Sequence, residues 1–141
     1  MKLELVIIAM TTIYLVVMAI IDRRRKEIPV IPGFVILFFL IIAQLIKGTK
    51  WSFIFFGILV GVALYIVSKL SRGSIGEGDA LVYMVTGVSV GFFRNFELLV
   101  LSLFFASMTG LFLLVTRKVG RKYAMPFIPF TAVAYGVVMM L

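Results

Sequence analysis

The 141-residue sequence contains no cysteine and no histidine. The first absence excludes disulfides, thiol nucleophiles and thiolate zinc sites; the second excludes His-based triads and imidazole metal centres. Charge is scarce as well. Only 14% of the residues are Asp, Glu, Lys or Arg, against roughly a quarter in a soluble domain. Six residues in all are acidic. Apolar residues take up the difference, at 63% of the chain, which is the composition of an integral membrane protein. Any chemistry must therefore come from carboxylates, hydroxyls, lysine or tyrosine, and neither a metal nor a cofactor is expected.

A membrane-spanning helix needs roughly 20 mostly apolar residues, and six such segments can be marked out. They run from about Leu3 to Ile21, Val30 to Ile46, Trp51 to Leu70, Asp79 to Phe93, Phe96 to Thr116, and Tyr123 to Leu141. The expected fold class is thus all-α, a polytopic membrane protein of about six helices with short loops. These segments use almost the whole length, so residues 1–141 read as a single membrane-embedded domain with no soluble domain beside it. The opening apolar run is too long for a signal-peptide core, ends in "DRRRK" and has no small-residue cleavage site.

The net charge of +8 sits in short clusters between apolar runs. That arrangement points to membrane topology and not to nucleic-acid binding. The first loop holds Arg23, Arg24, Arg25 and Lys26. Lys69 and Arg72 flank the third, and the fifth holds Arg117, Lys118, Arg121 and Lys122. The second loop has only Lys47 and Lys50, and the fourth only Arg94. The odd-numbered loops are therefore expected in the cytoplasm and both termini outside. Headgroups of the phospholipid membrane are natural partners for the basic loops.

Of the six acids, Glu4 and Glu97 fall at the outer side. Asp22, Glu27, Glu77 and Asp79 fall in the first and third loops, and hence on one face. Asp22 is expected to close the first helix and Asp79 to open the fourth. The helix macrodipole opposes the former and favours the latter, so their environments differ. Two such carboxyls side by side can share a proton, one acting as base on a water and the other donating to a carbonyl oxygen. The plainer alternative for Asp22 is a salt bridge with the adjoining "RRRK". For Asp79 it is a helix cap in an ordinary glycine-rich turn. Gly76 and Gly78 give the chain around Asp79 backbone freedom and room for close approach.

"GEGD", Gly76 to Asp79, resembles the GxGD motif of membrane-embedded aspartic proteases. Asp22 followed by "RRRKEIP" resembles the first motif of type IV prepilin peptidases, including the Ile28–Pro29 pair. "MPFIPFTAVAYG", Met125 to Gly136, is similar to that family's proline-rich approach to its last helix. The order and spacing agree over essentially the whole chain. Two positions depart from the usual pattern: Val30 stands where many relatives have Asn, and Leu81 where many have Lys.

The resemblance implies a membrane aspartic endopeptidase that removes the basic leader of prepilins or pseudopilins at the cytoplasmic surface of the inner membrane. Asp22 and Asp79 would be the catalytic pair, with Gly76 and Gly78 shaping the site. Pro126 and Pro129 would border it. Larger relatives carry an N-terminal domain with paired cysteines linked to methylation, so this cysteine-free chain is expected to cleave without methylating. Glu27 and Glu77 are either solvated loop acids or counter-charges for the lysines of the leader.

Two other functions stay open at this point. A small transporter or channel component would use Asp22 and Asp79 as ion ligands, although the helices carry few polar residues at intermediate depth. A catalytically silent scaffold for pilus assembly would conserve the fold without the reaction.

Overall fold

The computed structural model describes residues 1–120 and 122–141. Arg121, one of the basic residues used for orientation, lies outside the described residues. The described residues form six helices in chain order: α1 (Lys2–Arg25), α2 (Val30–Ile46), α3 (Trp51–Leu70), α4 (Glu77–Val90), α5 (Phe92–Val115) and α6 (Ile128–Met140). The architecture is all-α. α1, α3 and α5 are long and apolar enough to cross a membrane, and α2 and α6 are shorter apolar helices. This is a polytopic membrane fold.

α2 and α3 occupy the spans expected from hydropathy. The other boundaries shift, each for a physical reason. α1 does not close at Asp22 but runs one turn further, to Arg25. Arginine is a good helix former, and cations at a helix C-terminus complement the macrodipole. Lys26 ends the helix in a left-handed conformation (φ 55°), its N–H donating to the Asp22 carbonyl at 2.8 Å. α4 starts two residues early, which puts both Glu77 and Asp79 in its first turn. Gly91 alone, at φ 83°, separates α4 from α5. The fourth loop is thus reduced to one residue, and Arg94 lies in α5.

α6 begins at Ile128 rather than Tyr123. Pro126 disfavours helical geometry at Met125, and Pro129 is accommodated only in a first turn.

α4 is the innermost helix. Residues 80–83 and 85–88 are buried, and it packs against α1, α2, α3 and α5. The α3–α4 contact is the tightest in the fold. A Cβ on either Gly57 or Gly87 would overlap the backbone carbonyl of the other. A Cβ on Gly61 would stand 2.7 Å from the Ala80 carbonyl oxygen. Small residues at such crossings let membrane helices gain van der Waals contact that lipid cannot match.

The up-and-down order places the C-termini of α1, α3 and α5 and the N-termini of α2, α4 and α6 at one end. At the opposite end, Glu4 of α1 pairs with Lys47, just past α2, at 2.7 Å. Buried hydroxyls of Thr11 and Ser102 bond carbonyls of their own helices, as hydrocarbon surroundings require.

Candidate active site

Asp22 lies on the buried side of α1, only 6% exposed, while the three arginines that follow it are exposed. Its partner is not one of those arginines. Among the described residues the ion pairs are Lys47–Glu4 and Lys69–Glu77, and neither involves Asp22. Instead, Asp22 Oδ2 accepts the backbone N–H of Ile128 at 3.0 Å. Ile128 opens α6, so the donor is one of the amides that have no carbonyl within their own helix. A buried carboxylate gains from such a charge-assisted bond, which fixes the side chain against the start of α6.

Asp79 is half-buried in the first turn of α4. Its N–H donates to the Gly76 carbonyl at 3.1 Å. A Cβ at position 76 would lie 3.3 Å from Asp79 Oδ2, so the glycine leaves the carboxylate a bare flank. Gly76 itself has an ordinary extended conformation (φ −66°, ψ 136°). What position 76 needs is space, and not a left-handed backbone.

Gly78 has a different task. A Cβ there would stand 2.5 Å from the Cβ of Ile28 and 3.2 Å from its carbonyl oxygen. The start of α4 therefore rests directly on the loop that follows α1. Through this contact, two stretches some 50 residues apart meet, "DRRRKEIP" and "GEGD". Asp22 and Asp79 therefore share this end of the bundle.

A second link ties the same three helices together. Tyr83, one turn beyond Asp79 on α4, is fully buried. Its hydroxyl lies 3.2 Å from that of Thr131 on α6, and its ring stacks on Phe127 at 6.3 Å between centroids. The residues flanking the Ile128 amide are thus held to the helix that carries Asp79. The Asn95 amide nitrogen, at the head of α5, donates to the Tyr83 carbonyl at 2.8 Å. Thr86 donates to the Asn95 side-chain oxygen at 2.7 Å. Tyr83, Thr131 and Asn95 went unselected in the sequence. A lone polar residue in an apolar helix was their only signal, and the Ile128 donor, being backbone, left none.

The remaining candidates lie around the rim. Glu77 is exposed and bound to Lys69 at 2.5 Å, so its charge already has a partner. Glu27 is exposed and belongs to neither ion pair. Pro129 sits in the first turn of α6, and Pro126 in the loop before it. The same loop touches the α1 end, with Lys26 Nζ 4.7 Å from the centre of the Tyr123 ring. Among the described residues no group of three or more acids could hold a metal ion.

Comparison with protein families matches residues 9–115 to the type IV leader peptidase family. The matched span includes Asp22, Ile28 and the whole of "GEGD", and it ends at the last residue of α5. No curated protein and no solved structure matches the chain.

Proposed function

The chain belongs to the type IV leader peptidase family, and from that membership we propose that it is a membrane aspartic endopeptidase. Its substrates are prepilins or pseudopilins, which lose their basic leader at the cytoplasmic face of the inner membrane. The observation that supports this reading is the contact of the two motifs, through Ile28 and Gly78, at the end of the bundle that carries Asp22 and Asp79.

In the proposed reaction one carboxylate takes a proton from a water molecule. The water oxygen attacks the scissile carbonyl carbon, and the other carboxyl donates its proton to the carbonyl oxygen. The tetrahedral intermediate then breaks its C–N bond as the departing amine takes a proton. Such a pair titrates as one unit, so base and acid are roles of the dyad. Asp22, gripped by the Ile128 amide, is the anchored member. Asp79, half-buried in the first turn of α4, is the more accessible one.

Among the described residues, the basic residues of the first, third and fifth loops lie at the same end as the acids, which supports a cytoplasmic site with both termini outside. In this reading Gly76, Pro126 and Pro129 border the site, Gly78 shapes it by seating α4 on Ile28, and Glu27 and Glu77 receive lysines of the leader. The 141 residues are assigned leader cleavage and no methyl transfer.

The test is co-expression with prepilins from the same genome. Leader loss is expected with the wild-type chain and is expected to vanish with either Asp22→Asn or Asp79→Asn. Cleavage that survives either substitution in folded protein would remove the mechanism.

A further inference from the structure

Away from the paired acids, at the opposite end of the bundle, lies a cavity of about 840 Å³. It opens where the loop between α2 and α3 meets the junction of α4 and α5. Its lining has two parts. Phe53, Phe56, Leu59 and Phe92 make an apolar trough, and Lys50 and Arg94 stand at it as the charged residues. No acid contributes to the lining. Both ion pairs of the described residues leave Lys50 and Arg94 out, and both side chains are exposed.

The shape of the cavity is set by Gly91. Its φ of 83° turns the chain from α4 directly into α5, and a Cβ there would stand 2.5 Å from the Phe53 ring. The aromatic wall can therefore lie flat against the helix junction, which any larger residue would prevent.

We propose that this cavity is a binding site for an anionic phospholipid, whose phosphate is held by Lys50 and Arg94 while an acyl chain fills the trough beside Phe56. The charge and the apolarity call for the same occupant. A free phosphate would leave the aromatic trough uncovered, and a zwitterionic phospholipid would bring an ammonium of its own against the two cations. Ser52, also in the lining, adds a hydroxyl at the same level, whereas the Thr49 hydroxyl already donates to Gln44 Oε1 at 2.8 Å. α3 and α5 both begin here, so their positive dipole ends reinforce the cations. The site lies in the leaflet opposite the one bordering Asp22 and Asp79, so it does not depend on the proposed reaction.

A reporter is built in. Trp51 is the only tryptophan of the chain; it adjoins Lys50 and is 68% exposed. The full-length protein in detergent micelles is titrated with brominated phosphatidylglycerol or brominated phosphatidylcholine, and Trp51 quenching is followed. Quenching is expected at lower mole fractions of the anionic lipid. The Lys50→Gln/Arg94→Gln double variant should lose that preference, by about fivefold per charge. Lys118→Gln, at the other end, should keep it. Inorganic phosphate should not displace the lipid.

Equal quenching of wild-type protein by the two lipids would overturn the proposal, and this comparison needs no variant to fold. A preference retained by the folded double variant, or lipid displaced by inorganic phosphate alone, would overturn it equally.

Discussion

The backbone N–H of Ile128 donates to Asp22 Oδ2 at 3.0 Å, joining the start of the last helix to the end of the first. This bond makes α6 part of the site, although the matched family span stops at Val115. The proposed reaction depends on it, because it holds one acid still while the other faces the substrate.

Gly78→Ala tests the contact between the two motifs. The added methyl meets Ile28 at 2.5 Å and must push the loop after α1 away from α4. Overpacking of this kind costs about 1–3 kcal/mol. Cleavage should fall at least tenfold, and Ile28→Gly in the same chain, which removes the Cβ that the methyl meets, should restore part of it. A double-mutant cycle with no coupling between the two positions would refute the contact's importance.

Tyr83→Phe removes the hydroxyl facing Thr131 and keeps the stacked ring. Interhelical bonds of this kind are worth about 0.6 kcal/mol on average, so kcat should drop only a few-fold, with KM unchanged. Thr131→Val should do the same, and the two together should cost less than the sum. Additive losses would separate this bond from the site.

The Lys69–Glu77 pair sets up a competition. If Glu77 receives a leader lysine, Lys69 is the rival already in place. Glu77→Gln should raise KM with little change in kcat, whereas Lys69→Gln should lower it. Both effects should shrink in high salt, because exposed pairs are screened. A KM indifferent to both substitutions would leave Glu77 a solvated acid.

The pH dependence follows from the pair acting as a unit. In the proposed reaction the working state has one proton on two carboxyls, so kcat/KM should rise and then fall with pH. At low pH both are protonated and no base remains; at high pH both are ionised and no acid remains. A flat profile across the range in which the protein stays folded would contradict a shared proton.

Much of this architecture could be read from the chain. The α2 and α3 spans were set by uninterrupted apolar runs between turn residues, and the structure keeps them. The convergence of Asp22 and Asp79 on one end was implied by counting basic residues, since alternate loops must share a side. Boundaries moved where local chemistry outweighed hydropathy: three arginines extend α1, Gly91 abolishes a loop, and Pro126 with Pro129 delays α6. The grip on Asp22 was not legible, because any residue but proline at position 128 would present the same N–H. The neighbours in sequence, Arg23 to Arg25, were a misleading guide: a helix directs successive side chains about 100° apart, so Arg23 and Arg24 point away from the buried side that Asp22 occupies, and Arg25, nearly one turn on, is exposed and makes no ion pair with it.

The most direct test of the central claim compares two single variants with their combination. Single-turnover cleavage of a prepilin by purified, reconstituted protein is measured for Asp22→Asn, Asp79→Asn and the double variant. If the two acids form one catalytic unit, each single substitution should cost about 10²–10⁴-fold, and the double should be no slower than the worse single. Losses that multiply in the double variant, or a single variant that still cleaves at the wild-type rate, would contradict it.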